Sequence, residues 1–336
     1  MTESMLRRLH LMCLVAALLA TATAAASEQA AHALLEKMAR AVDELNYEGT
    51  FVFAHDQRME TMQIIHARDE RGSRERLVAL TGYPREIIKD ADSIICVRPD
   101  DLDPALCLDP GKSLLGLPGV LPIRQGLDGL SESYRLRLGD RQRVAGLPCR
   151  ELAILPQDHL RYGRQLCIHE PTGMLLQSRL LSREGRIFEQ FMFTRIEFPA
   201  RVADDRLRPR MQGKGVTARP METPPAETHF MEPDPRWHVG EMPPGFRVTG
   251  VSKRLMAAGP HPVQHMILTD GLATVSIFVT RTDRSEERLR GVTRSGALHA
   301  AVLPWKEYQV TVLGEVPEAT VRLIAESVFH DGEDGR

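Results

Sequence analysis

The sequence lacks most of the signals that announce a particular chemistry. Its 43 Lys and Arg residues are offset by 45 Asp and Glu, for a formal net charge of −2, and no long run of one sign interrupts the mixture. A phosphate-tracking surface needs clustered positive charge, so this balance argues against a nucleic-acid partner. There is no GxSxG and no HExxH, which removes the usual signatures of a serine hydrolase and of a zinc protease. PGKSLLG imitates a phosphate loop, but Leu106 stands where the first glycine of that motif belongs. GKGVTA, from Gly213, imitates a dinucleotide fingerprint with no strand before it. DDLD, Asp100 to Asp103, lacks the glycine and the distal glutamate of a calcium loop. HPVQH sets Pro262 between His261 and His265, against the helix that would align two ligands. Neither a cofactor nor a metal is expected, and the reading that remains is binding without catalysis.

Beyond the N-terminus no apolar run is long enough to span a membrane. MLRRLHLMCLVAALLATATAAASEQ opens with Arg7 and Arg8, continues with an apolar stretch from Leu9 to Ala20, and ends with Ala24 and Ala26 before Ser27. That is the layout of a cleaved secretory signal over residues 1–26, and the stretch falls short of the roughly 20 residues a spanning helix needs. Removing it leaves Cys96, Cys107, Cys149 and Cys167, an even number with no CxxC pair. Two disulfides can then form in three pairings. Folding CVRPDDLDPALC about its acidic loop opposes Cys96 to Cys107, and folding CRELAILPQDHLRYGRQLC about Asp158 opposes Cys149 to Cys167. Each closure is worth roughly 3 kcal/mol in the chain-entropy model.

What is present is mostly strand. A chain of 336 residues with 43% hydrophobic content can fill two cores. EQAAHALLEKMARAVDELN puts Leu34, Leu35, Met38, Ala41, Val42 and Leu45 at helical spacing, ending near Asn46. From Tyr47 the period becomes two, and strands joined by short turns follow as an antiparallel meander. The Gly-, Pro- and Leu-rich stretch DPGKSLLGLPGVLPIRQGLDGLSES fits neither period and reads as a loop or lid. Residues 27–204 form the first domain in this reading, and the Pro- and charge-rich stretch 205–228 reads as a linker. Residues 229–336 form a smaller mixed domain with a hairpin at Asp270-Gly271, a helix after Pro317 and a frayed tail. The fold class is α+β. In the first sheet Phe51, Phe53, Met62, Ile64, Leu136, Leu138, Phe191 and Phe193 are alternating apolar positions, and this apolar face is either core under the helix or the lining of an acyl-chain cavity.

YEGTFVFAHDQRMETMQIIHARDERGSRERLVALTGYPREIIK resembles the N-terminal part of the MucB/RseB family, and VAGLPCRELAILPQDHLRYGRQLCIHEPTGMLLQSRLL resembles the centre of the same domain. PPGF together with VTVLGEVPEATVRLIAESV resembles the family's C-terminal domain, so the match runs from about Ala31 to about Val328 in the right order. The resemblance implies a LolA/LolB-like half-barrel sheet covered by helices, joined to a C-terminal domain that contacts the partner. It implies a periplasmic regulator that binds the periplasmic segment of a membrane anti-sigma factor of the MucA/RseA kind and shields it from site-1 proteolysis. Lipopolysaccharide or lipid fragments would release that partner, and a homodimer is the family expectation. Lipid phosphates would need cations at the rim of the apolar face, and Arg85, Lys89, Arg161 and Arg164 are the candidates. A lipid or lipoprotein carrier with an accessory domain is the alternative, and a hydrolase is a distant third.

Overall fold

A computed structural model of the chain describes residues 27–55, 58–90, 93–99, 130–211, 214–218, 230–255, 261–282 and 289–331. The stretch read as a loop or lid lies outside these residues up to its last four, Leu130–Ser133, which form the single turn α2. The signal segment 1–26 and Cys107 also lie outside them.

The first helix, α1, spans residues 27–44. Its apolar stripe buries Ala31, Leu35, Met38 and Ala41, as the helical spacing requires. Where that spacing ends, alternation takes over. Strands β1 (Tyr47–His55), β2 (Arg58–Asp69), β3 (Gly72–Ala79), β4 (Glu86–Lys89) and β5 (Ile94–Arg98) come first. After α2 follow β6 (Tyr134–Val144), β7 (Leu147–Pro156), β8 (Gly163–Ile168), β9 (Leu175–Leu181) and β10 (Ile187–Glu197). With β11 (Lys214–Ala218) these make an open eleven-stranded sheet in the order β11-β5-β4-β3-β2-β1-β10-β9-β8-β7-β6. Every recorded pairing in it is antiparallel. This is the expected half-barrel under a helix. It buries two adjoining clusters on that face, one centred on β1, β2 and β10, the other where α1 lies against β6 to β9.

The second domain holds β12 (Phe230–Met231), β13 (Trp237–Val239), β14 (Arg247–Leu255), β15 (Pro262–Thr269), β16 (Thr274–Arg281), β17 (Gly291–Ser295), β18 (Leu298–Trp305) and β19 (Tyr308–Gly314), then α3 (Glu318–Ser327) and β20 (Val328–His330). Seven of these strands form a sheet ordered β12-β14-β15-β16-β19-β18-β17. Helix α3 closes one face, burying Val321, Ile324 and Ala325 against Ile277, Val310 and Val312. The Asp270-Gly271 pair does make the tight β15–β16 turn, and His265 sits in a strand, half-buried and stacked on Phe278 at 4.3 Å.

Two boundaries differ from the reading of the sequence. The stretch taken as linker from residue 205 still belongs to the first domain: a 3-10 turn at Asp204–Leu207 buries Leu207 with Val202 against Ile65 and Ala67, and β11 adds an edge strand beside β5. Its composition is polar because an edge strand needs only backbone partners. The start of the tail is a strand as well, β20 pairing with β13, so that His330 meets the Trp237 ring edge to face at 4.9 Å.

Candidate functional site

The apolar face is organised by cross-strand register. Phe51 lies opposite Phe193 and Met62, and Phe53 opposite Phe191 and Glu60, so six of the eight expected positions (Phe51, Phe53, Met62, Ile64, Phe191 and Phe193) fall in one cluster with Tyr47, Leu77 and Ile87. The three rings at its centre meet at an angle. Phe51 and Phe191 are 5.0 Å apart and tilted, and Phe191 and Phe193 are 5.1 Å apart edge to face, the arrangement their quadrupoles favour. Gly49 makes room for this: a Cβ there would stand 2.6 Å from Phe193 Cε1 and 2.7 Å from the Arg195 carbonyl oxygen. Leu136 belongs to the neighbouring cluster under α1, with Leu138 half-buried against it. All six residues of the first cluster are at most 6% exposed, so an acyl chain reaches them only by displacing what covers them.

Polar groups bracket this cluster at both ends of the strands. At one end Tyr47 stacks on His66 at 4.7 Å. His66 Nδ1 donates to the Leu45 carbonyl oxygen at 2.7 Å, which leaves Nε2 to accept from Ser73 Oγ at 2.8 Å. Burial holds His66 below the usual histidine range. Glu75 faces His66 on one side and Lys89 on the other. It is buried, and burial pushes its carboxyl above the ordinary value, with Lys89 opposing. At the other end Arg85 donates to Glu60 at 2.8 Å, beside Phe53. Lys89 and Arg85 therefore stand at the two ends of the aromatic face. Arg164 lies further along the sheet, half-buried, opposite Ile154 and Leu180.

Arg161 is not at a rim. Its side chain is fully buried in the joint between the domains, where Nη1 donates to Asp270 Oδ2 at 2.7 Å, Nη2 to the Pro244 carbonyl oxygen at 2.6 Å, and Nε to Asp158 Oδ1 at 3.2 Å. The rings of Tyr134 and Phe246 lie 5.3 Å from its guanidinium carbon. Tyr134 donates its hydroxyl to the same Asp270 Oδ2 at 2.9 Å, and burial together with that carboxylate pushes the phenol far above its usual value. Each nitrogen of the fork has a partner inside the protein and the side chain is fully buried, so a lipid phosphate does not reach it. The correction has a physical cause: Arg161 sits in the β7–β8 turn, which reads as exposed until a second domain packs on it.

The joint was hidden in segments that looked like turn chemistry. Asp270 Oδ1 caps its own turn, accepting from Leu272 N at 2.9 Å and Ala273 N at 2.8 Å, while Oδ2 serves the other domain. Leu272 enters the cluster under α1. In PPGF, Gly245 has φ +80°, and a Cβ there would stand 2.5 Å from Ser133 Oγ, so only glycine lets this turn sit on α2. Further along, Tyr162 and Leu180 pack with Ala297, and Thr320 Oγ1 donates to the Leu160 carbonyl oxygen. Of the two expected disulfides, Cys149–Cys167 joins β7 to β8. Cys96 is disulfide-bonded, and its expected partner Cys107 lies outside the described residues. Among the described residues, no group of three or more His, Cys, Asp or Glu is placed to hold a metal ion.

The profile of the MucB/RseB N-terminal domain matches residues 30–211 and that of the MucB/RseB C-terminal domain residues 231–329. The sigma factor AlgU regulatory protein MucB of Pseudomonas aeruginosa is 31% identical over 325 residues, covering 93% of this chain and 95% of that protein. The sigma-E factor regulatory protein RseB of Haemophilus influenzae is 29% identical over 318 residues, covering 93% and 95%. Among solved structures, MucB in complex with MucA(peri) superposes with a TM-score of 0.70 at 28% identity, covering 90% of this chain and 100% of that one. The complex of Pseudomonas aeruginosa MucA and MucB gives 0.71 at 28% identity, covering 90% and 99%. These relatives are regulators, not enzymes.

Proposed function

The chain belongs to the MucB/RseB family, and from that premise we propose that it is a periplasmic regulator that binds the periplasmic segment of a membrane anti-sigma factor and shields it from site-1 proteolysis. The observation that carries this reading is the likeness, through both domains, to MucB crystallised with MucA(peri). Occlusion of an unstructured segment needs surface and affinity but no reacting group, which agrees with a chain whose sequence offers no catalytic motif. The signal segment read at residues 1–26 delivers the protein to the compartment where such a segment is exposed.

Release by lipopolysaccharide or another lipid belongs to the same reading. A ligand dissociates the partner only if it binds the free regulator more tightly than the complexed one. The aromatic cluster around Phe51 and Phe193, with Arg85 and Lys89 at its ends, is the part of the first domain whose chemistry suits an acyl chain and an anionic head group. A homodimer is the assembly that goes with the family reading.

The test is a cleavage assay. Purified mature protein is mixed with the periplasmic segment of a MucA/RseA-like anti-sigma factor and the site-1 protease, with and without lipopolysaccharide fragments. The reading expects slowed cleavage and its restoration by the fragments. Cleavage at the same rate with and without the protein overturns the shielding role, and slowed cleavage that lipid does not restore overturns the release step alone.

A further inference from the structure

Three neighbouring turns of the first sheet project large apolar side chains into water. The strand order β4-β3-β2-β1-β10-β9 places the β3–β4, β1–β2 and β9–β10 turns side by side along one end of the sheet. At that end Met59 is 70% exposed, Tyr83 59%, Leu80 52% and Ile187 47%. Met59 pairs with Ala54, and Leu80 donates its backbone N–H to the Thr61 carbonyl oxygen at 2.8 Å. Met59 and Leu80 are therefore diagonal neighbours on one face, within reach of each other. At strand spacings of about 4.8 Å, the row of three turns extends over roughly 20 Å.

Scattered single apolar residues on a surface need no explanation, but four large ones along one rim do. Solvated turns normally carry Gly, Asn, Asp and Ser instead. Their companions are arginines. Arg58, Arg183 and Arg186 are exposed on the same turns, with Arg186 lying 4.6 Å over the ring of Phe188. Among the described residues of these turns the one acidic residue is Glu184. Arg85, behind them, is neutralised by Glu60. A methionine, a leucine, an isoleucine and a tyrosine beside guanidinium groups on flexible stems match the apolar–polar boundary of a bilayer, where the hydrocarbon enters and the charges stay at head-group level.

We propose that this rim of the first domain is a peripheral membrane-contact surface, seated on an anionic lipid bilayer through Met59, Leu80, Tyr83 and Ile187, with Arg58 and Arg186 on the head groups. The surface does not depend on the regulator reading. Should that reading hold, the rim puts the aromatic face next to a source of lipid, because Phe53 lies two residues from His55 at the β1–β2 turn and Phe191 four from Ile187 at the β9–β10 turn.

The experiment is flotation of the full mature chain with phosphatidylcholine vesicles, with and without phosphatidylglycerol. Wild type is expected to float with the anionic vesicles and to be released by salt, since exposed charges are screened. M59S/L80S/Y83S together, all at exposed positions, should lower partitioning at least about tenfold with an unchanged melting temperature. R58E/R186E should lower it on anionic vesicles only. Wild type that stays unbound on anionic vesicles, or a triple variant that binds as wild type does, overturns the proposal. Sedimentation velocity separates the other occupant: if the triple variant changes only the mass of the particle and not its flotation, the rim is a self-association face and the membrane proposal fails.

Discussion

Asp270→Asn isolates the joint between the domains. The substitution keeps the side chain's shape and the Oδ1 acceptor that caps the β15–β16 turn through Leu272 N and Ala273 N. It replaces Oδ2, which accepts from Arg161 Nη1 at 2.7 Å and from Tyr134 at 2.9 Å, by an amide that donates. Hydrogen bonds to charged groups contribute about 1.5–3 kcal/mol each, and removing one partner of a buried ion pair costs about 3–5 kcal/mol. Arg161 keeps Asp158 and the Pro244 carbonyl oxygen, so the charge is not orphaned and the lower end applies, about 3 kcal/mol. That loss falls on the joint and on neither core. Both tryptophans, Trp237 and Trp305, pack in the second domain, so in a urea titration tryptophan fluorescence follows that domain alone while far-ultraviolet circular dichroism follows both sheets. Wild type should give coincident transitions, whereas Asp270→Asn should separate them, with the fluorescence midpoint moving away from the other. Coincident transitions at the wild-type midpoint would refute the claim that this pair couples the domains. R161M and the double variant R161M/D270N complete the cycle: a double loss close to that of either single variant is expected from a coupled pair, and strict additivity contradicts it.

Two further outcomes follow from the aromatic face. Gly49→Ala puts a Cβ against Phe193 and against backbone at Arg195; with backbone on one side the site cannot simply yield, and a loss of about 2 kcal/mol in thermal or urea unfolding is expected. An unchanged midpoint would mean that the Phe193 ring moves aside freely. Glu75→Gln tests the buried carboxyl. Burial holds its folded pKa above the ordinary 4.5, so the folded chain keeps the proton to higher pH than the unfolded chain does. That contribution is complete below pH 4.5 and is lost as pH rises through the folded value. Glu75→Gln should therefore raise stability near neutrality and leave it unchanged below the ordinary carboxylate pKa. A gain of equal size at both pH values would show that it has nothing to do with ionisation.

Much of the first sheet was legible because alternation is a local property. Tyr47, Phe51 and Phe53 had to share a face of their strand, and the change from helical to two-residue period at Asn46 marked where α1 ends. The same holds for the helix after Pro317, whose stripe of Val321, Ile324 and Ala325 is the buried one. Spacing also opposed Cys149 to Cys167 across one turn. The edge strand β11 was not legible, since backbone pairing to β5 asks little of its side chains.

By itself the sequence determined the α+β class, the two-domain order, the absence of any familiar catalytic motif and the family, because period, turn chemistry and motif are carried by residues close together in the chain. Tertiary structure alone decided what the charges do. Arg161 and Asp270 stand 109 residues apart and meet at 2.7 Å with no exposure. Glu75 is buried beside Lys89, and Arg85 is tied to Glu60. Charged residues carry no periodic signature of burial, so whether an arginine faces water, a carboxylate or another domain is fixed only by what packs over it.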